Sequence, residues 1–215
     1  MIPLVIFPLL LAVAPFLSGC ALTTANVKLQ YQEMTTSYSL PYGTQLQIPV
    51  SVQLFTDDRP QKALGTKKNA YGMETAAVVS DDDLASLLTN AIKKELARLR
   101  YRVLDSHPDA ITIEGRINRF WVQPEISFFS DTIEGQSEVA LQLKGSANGP
   151  PSWSNIYTVY NVSDDLFAVF DSDYQERVDA TFRDIVQKII TDRELHTALR
   201  KIHTKKVQGQ GGYEG

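Results

Sequence analysis

The feature that most constrains this chain is its single cysteine, Cys20, which follows directly on an apolar N-terminal stretch. With one cysteine, no disulfide can form within the chain, so a folded domain has to be held by a hydrophobic core. Residues 4–17 form an apolar run interrupted only by Pro8 and Pro15, and small residues lead from it to the cysteine. The run is shorter than the roughly 20 residues that a membrane-spanning helix needs. It predicts a secretory signal peptide over residues 1–19, with the small residues at its end as the cleavage region.

The segment Leu17-Ser18-Gly19-Cys20 resembles the lipobox of bacterial lipoproteins. The resemblance implies that the chain is cleaved between Gly19 and Cys20, and that Cys20 carries a thioether-linked diacylglycerol and an acylated new N-terminus. More than one acyl chain makes membrane attachment stable. In the bacterial sorting scheme, an Asp after the lipidated cysteine favours retention at the inner membrane. Because Ala21 stands there, the resemblance implies an outer-membrane protein with its domain facing the periplasm. Residues 1–3 depart from the usual signal because they contain no Lys or Arg.

The composition favours one globular domain. Of the 215 residues, 43% are hydrophobic and 21% are charged, which is typical of a folded protein. The net charge is −4, with Lys and Arg scattered among acidic residues, which disfavours a nucleic-acid partner. We predict a flexible tether over residues 20–47, a single domain over residues 48–203 and a disordered Gly-rich tail over residues 204–215.

Alternating apolar residues predict strands. Residues 50–55 alternate with Val50, Val52 and Leu54 on the buried face. Residues 111–122 change parity part of the way along, which predicts a β-bulge near Asn118. Residues 139–143 and 153–162 alternate in the same way on either side of a turn, so this part of the chain is predicted to form an antiparallel meander.

Two longer stretches have the 3.6-residue period of amphipathic helices. The first begins after residue 80, with Ser80 predicted as its N-cap and Asp83 as its capping-box partner. Its apolar stripe is Leu84, Leu87, Leu88, Ala91, Ile92, Leu96 and Leu99. The stripe of the second helix is Tyr174, Val178, Phe182, Ile185, Val186 and Ile189, and a short final helix is predicted from Asp192 to about Ile202. The fold class is therefore α+β, with a mostly antiparallel sheet of five or six strands packed by two helices.

The order of several motifs resembles the YajG-like family of small, uncharacterised bacterial lipoproteins. After the signal that ends in a cysteine come Val50-Ser51-Val52, Asp57-Asp58-Arg59-Pro60 with Leu64-Gly65, an Asp-Leu helix start, and Leu99-Arg100-Tyr101-Arg102-Val103. The resemblance covers roughly residues 48–200 and implies lipid anchorage. The chain departs from the pattern at Leu99-Arg100-Tyr101, where such sequences often place a Gly before the aromatic residue, and in its longer Gly-rich tail.

No motif indicates an enzyme. The three histidines lack zinc-ligand spacing, the acidic clusters lack the spacing of a calcium loop, and neither a nucleophile elbow nor a phosphate-binding Gly loop occurs. We therefore expect no metal and no cofactor. Asp57-Asp58-Arg59-Pro60 is interpreted as a structural turn with a charge-assisted pair, with partner binding as the other possibility.

Aromatic residues predicted on loops and hairpin ends are the candidates for partner contact, and ordinary core positions are the alternative. They are Trp121, Phe128, Phe129, Trp153, Phe167 and Phe170. The first hypothesis is a non-enzymatic lipoprotein that binds an envelope protein or a cell-wall partner. The alternative is an accessory lipoprotein of an envelope transport or secretion complex with a lipid-handling cavity; a hydrolase or calcium-dependent enzyme ranks last. A filled core with an exposed patch favours the first, and an apolar pocket between sheet and helices favours the second.

Overall fold

The structure is a computed structural model that describes residues 22–33, 47–127, 130–164, 166 and 168–210. The predicted signal peptide, Cys20 and residues 34–46 of the predicted tether lie outside the described residues. The strands within the described part are β1 Ala25–Asn26, β2 Pro49–Val52, β3 Thr56–Asp57, β4 Gly65–Lys68, β5 Glu74–Val79, β6 Arg102–Val103, β7 Ile111–Glu125, β8 Thr132–Lys144 and β9 Pro151–Val162. The helices are α1 Leu84–Arg98, α2 Asp171–Ile190 and α3 Arg193–Gln210.

The long strand β7 is the centre of one sheet. Along one edge it pairs antiparallel with β8, which pairs antiparallel with β9, so the predicted meander is confirmed. Along its other edge β7 pairs in parallel with β2, β3 and β4, one after another. Strand β6 lies beside β2, while β5 and β1 extend the sheet beyond β4. The predicted α+β class is confirmed, and the described sheet is mixed, with more strands than the five or six expected.

The change of parity in β7 is a β-bulge, as predicted. The register against β8 shifts between Ile117 and Arg119, so Asn118 is the extra residue. The predicted facing of Leu54 is wrong: Leu54 is 65% exposed and Phe55 is buried. Val52 pairs with Ile113 of β7, and Thr56 pairs with Arg116. Between these two pairs, the segment that joins β2 to β3 contains one residue more than β7 does. The extra residue reverses the side-chain alternation, so Phe55 faces inward.

Helices α1 and α2 cover one face of the sheet. Helix α1 begins one turn later than predicted: its N-cap is Asp83, which accepts hydrogen bonds from the backbone N–H groups of Ala85 and Ser86, so Ser80 is not the cap. The predicted apolar stripes bury most of their members. From α2, Tyr174, Phe182 and Val186 have at most 2% of their surface exposed.

The folded part begins earlier than the sequence predicted. Ala25, Val27 and Leu29 were assigned to the tether, but all three are buried, because their alternation lets β1 pair with β5. Residues 204–210, assigned to the disordered tail, continue α3 instead. Lys206 stabilises this extension, since its ammonium group donates to the carbonyl oxygens of Pro108 at 3.1 Å and Gly145 at 2.6 Å.

The sheet has two distinct ends. The hairpin end carries the β4–β5 turn, residues 69–73, together with the end of β7 and the start of β8. The α3 end carries the start of β7, the end of β8 and the start of β9, which α3 crosses. Because β8 has 13 residues, the two ends are about 40 Å apart. Among the described helices, none is long and apolar enough to cross a membrane.

Candidate functional site

A groove lies between α3 and the neighbouring strand ends. Its volume is about 670 Å³, and we call it the α3 groove. The apolar part of its lining comes from Trp153, Ala198 and Ile202, and its cations include Arg193, Lys201 and Lys205. The only acidic side chain among its described lining residues is Glu194. The groove therefore combines an aromatic surface with an excess of positive charge.

The helical period of α3 places these cations together. Arg193, Lys201 and Lys205 are separated by multiples of four residues, so they share one face of the helix. The opposite face of α3 is anchored in the core by Leu195 and Leu199. All three cations are exposed, and within the described residues no ion pair engages them. Their charge is available to a ligand.

A buried histidine helps to hold α3 on the domain. The two ring nitrogens of His196 lie 2.8 Å from the Tyr101 hydroxyl and 2.7 Å from the carbonyl oxygen of Ile190. Since a carbonyl only accepts, the Nε2–H group donates to Ile190, and Nδ1 accepts from Tyr101. Burial lowers the pKa of His196, which favours this neutral form. The histidine thus positions α3 and does not face the groove as a reactive group.

The Asp57-Asp58-Arg59-Pro60 motif forms a tight local clasp. The Arg59 guanidinium donates to both carboxylate oxygens of Asp57, at 2.8 and 2.9 Å, and to the carbonyl oxygen of Ala63 at 3.1 Å. Burial opposes ionisation of Asp57, but hydrogen bonds from Arg59 and Lys62 outweigh it and lower the pKa of Asp57 to about 2. Asp58 lies 3.9 Å from an Arg116 nitrogen at the surface. The Arg59 side chain is therefore used within the fold.

A smaller cavity of about 300 Å³ lies beside this clasp. Its lining brings Arg59 and Pro60 together with Trp121, which is distant from them in the sequence. The indole N–H of Trp121 donates to Gln123 at 3.3 Å. Because Arg59 is already paired, this cavity offers less free charge than the α3 groove.

The predicted aromatic contacts that the structure describes are not gathered into one site. Trp153 lines the α3 groove, whereas Phe170 is 62% exposed at the start of α2. Phe128, Phe129 and Phe167 lie outside the described residues. In the described ranges, no group of three or more His, Cys, Asp or Glu side chains has the arrangement of a metal site.

Sequence reasoning missed the cations of α3. Lys205 lies within residues predicted to be a disordered tail, and Arg193 and Lys201 lie in the short predicted final helix, to which no site was assigned. Their spacing in multiples of four was the signal that could have identified them. Trp153 lines the same groove only because β9 and α3 pack together, and no pattern in the sequence around Trp153 indicates this contact.

Comparison with known proteins gives the class to which this chain belongs. Residues 41–200 match the model of a family described as "Uncharacterized lipoprotein". Because the match covers most of the chain, the protein belongs to this lipoprotein family. This confirms the resemblance to YajG-like lipoproteins drawn from the sequence. A search of curated proteins finds no match.

Solved structures of low sequence identity share the fold. One is a Xanthomonas campestris protein of family DUF330, with 13% identity and a TM-score of 0.52, covering 86% of this chain and 99% of that chain. Another is described as a neuraminyllactose-binding hemagglutinin homolog from Helicobacter pylori, with 9% identity and a TM-score of 0.51, covering 83% and 100%. At these identities the likeness shows the fold alone.

Proposed function

We propose that this protein is a non-enzymatic lipoprotein, lipidated at Cys20 and held at the periplasmic face of the outer membrane, whose α3 groove binds an anionic partner. The partner is an acidic segment of an envelope protein or an anionic component of the cell wall. The observation that carries this proposal is the free positive charge of the α3 groove beside Trp153. Membership of a lipoprotein family supports the anchorage.

The charge of α3 stands out against the rest of the chain. Residues 193–210 contain five Lys or Arg, at positions 193, 200, 201, 205 and 206, and one acid at 194, although the whole chain has a net charge of −4. Like-charged side chains on one helix face repel each other and destabilise the helix slightly. An anionic group in the groove would relieve that repulsion, and the half-buried Trp153 ring would pack against an apolar or saccharide surface of the same ligand.

The alternative of a lipid-handling cavity requires open apolar space between the sheet and its helices. That layer is occupied by large side chains with no more than 2% of their surface exposed, including Ile113 and Leu141 from the sheet and Leu88 and Phe182 from the helices. The filled core supports partner binding at the surface over lipid storage inside the domain.

The test is affinity capture from crosslinked envelopes of cells that produce charge-reversal variants. Lys201→Glu and Lys205→Glu should each reduce recovery of the partner, and rising salt should reduce it for the unmodified protein. The matched control is Lys28→Glu, which reverses one exposed charge far from the groove. Equal recovery from all variants would overturn the role of the groove, and loss only in Cys20→Ala would assign the capture to anchorage.

A further inference from the structure

Large apolar side chains are exposed at the hairpin end of the domain. Tyr71 has 88% of its surface exposed, Leu22 69%, Phe170 62% and Met73 58%. We call these four residues the apolar patch. An exposed set of this kind in a protein with a filled core indicates a surface that contacts an apolar partner.

Pairing of the strands brings the patch to one end of the molecule. Tyr71 and Met73 lie in the turn that joins β4 to β5. The parallel register of Ala25 with Val78 means that Leu22, three residues earlier, comes from the direction of that same turn. Phe170 is held nearby, because the adjacent Asp171 forms a 2.8 Å ion pair with Lys67 of β4.

Hydrogen bonds order the backbone that carries three of the exposed side chains. The side chain of Asn69 accepts from the backbone N–H groups of Tyr71 and Met73, at 3.0 and 3.1 Å, and Gly72 takes a φ of +76° that completes the turn. The backbone N–H of Phe170 donates to Asp173 at 2.7 Å. The patch is therefore presented by ordered backbone, and its contact with a partner costs little conformational entropy.

The position of Cys20 identifies the partner. Cys20 precedes Leu22 by two residues, a chain length that spans about 7 Å at most. Acyl chains on Cys20 would therefore enter a bilayer beside the patch. We propose that the apolar patch seats on the lipid bilayer that holds the lipid of Cys20, so that the membrane contacts the domain directly as well as through its anchor. This rests on the proposed lipidation of Cys20.

The charges at this end fit a shallow contact. Lys68 and Glu125 form a 3.2 Å ion pair, and Lys67 is already paired with Asp171, so these groups can approach the headgroups without an unpaired charge. The exposed carboxylates of Glu74 and Asp164 favour seating at the level of the headgroups over deeper insertion. Tyr71 suits that level, since its ring is apolar and its hydroxyl reaches water.

Seating at the hairpin end would also orient the domain. The α3 groove lies at the other end of the sheet, about 40 Å from the patch along β8. The groove would then be held away from the bilayer and open toward partners in the aqueous space. An anchor alone would leave this orientation free.

The test uses the full-length lipidated protein, in which the Cys20 thiol is blocked and an added cysteine is the only free one. Tyr71→Cys and Met73→Cys are labelled with an environment-sensitive fluorophore and reconstituted into vesicles of phosphatidylethanolamine and phosphatidylglycerol that contain a nitroxide lipid. We expect loss of fluorescence to the nitroxide lipid and protection from aqueous iodide at both positions. The matched control, Val207→Cys, places the label on an exposed apolar position of α3 and should show neither effect.

Two results would overturn the proposal, and they are distinguishable. If the protein floats with the vesicles but positions 71 and 73 are as accessible to iodide as position 207, the patch does not touch the bilayer and anchorage stands. If the protein does not float with the vesicles, both the anchorage at Cys20 and the seating fail.

Discussion

Replacement of Arg100 by glycine should stabilise the domain, although glycine weakens the interior of a helix. Arg100 follows the C-cap of α1 with a φ of +65°, in the left-handed region that favours glycine. The backbone N–H of Arg100 donates to the Ala97 carbonyl oxygen at 2.9 Å, and that of Tyr101 donates to Leu96 at 3.0 Å, which is a Schellman motif. YajG-like sequences often place glycine before this aromatic residue, and the backbone explains that preference.

The expected gain follows from two opposing effects. A non-glycine residue in this conformation destabilises the folded state by roughly 1–2 kcal/mol, and Arg100→Gly removes that cost. The greater conformational freedom of glycine in the unfolded chain offsets about 0.4–1 kcal/mol of this gain. The net gain for Arg100→Gly is about 0.5–1 kcal/mol, or roughly 1–4 °C in the melting temperature of a domain of this size. The exposed Arg100 side chain makes little difference, so Arg100→Ala should stay close to the unmodified protein.

Thermal unfolding followed by circular dichroism, on unlipidated chains that begin at Ala21, measures this difference. The reverse substitution is Gly72→Ala, at a φ of +76° with open space around the new Cβ, and it should lower the melting temperature. A lower melting temperature for Arg100→Gly than for Arg100→Ala would show that the backbone at this position favours no glycine.

Three further predictions concern packing and pH. Gly135→Ala places a Cβ 2.0 Å from the Thr181 hydroxyl and should cost about 1–3 kcal/mol in urea unfolding, whereas Gly145→Ala, whose Cβ meets only a contact at 3.7 Å, should cost far less. Burial lowers the pKa of His196 below 6.5, so the unfolded chain takes up this proton at a higher pH than the folded chain does. The free energy of unfolding should therefore fall as the pH drops below 6.5. The same pH dependence in His196→Gln would contradict this. The pKa of about 2 at Asp57, against 3.8 normally, means that its contribution of about 2 kcal/mol is present above pH 4 and lost toward pH 2. Acid titration of Asp57→Asn should lack that loss, and an unchanged acid limb would show that the clasp adds no stability.

Local patterns in the sequence predicted the elements whose structure is decided locally. The apolar stripe of α1 and the bulge at Asn118 both follow from periodicity, and both are present. The predicted cap at Ser80 was wrong because the helix begins at Leu84 and Asp83, directly before it, accepts from the first-turn N–H groups. The Ser80 hydroxyl accepts instead from the backbone N–H of Asp82, before the helix begins.

The parts that the sequence did not predict depend on distant contacts. The parallel pairing of β2, β3 and β4 with β7 joins segments that no local pattern connects. Phe55 turns inward because Gly115, on β7, leaves room for its ring: a Cβ there would be 2.4 Å from a ring carbon. The extension of α3 is stabilised by hydrogen bonds from Lys206 to the carbonyl oxygens of Pro108 and Gly145. These acceptors are distant in the sequence, so local composition predicted a disordered tail instead. The α3 groove was missed for the same reason.

Intact-mass and peptide mass spectrometry of the protein extracted from membranes will show whether Cys20 carries the lipid anchor. Anchorage at Cys20 requires a mature chain that begins at this residue, lacks residues 1–19 and carries diacylglycerol on sulfur with an acyl chain on the new N-terminus. The chain from Cys20→Ala cells should keep residues 1–19 and carry no lipid. A membrane-extracted protein with a free Cys20 thiol, or with Met1 to Gly19 still attached, would contradict the account.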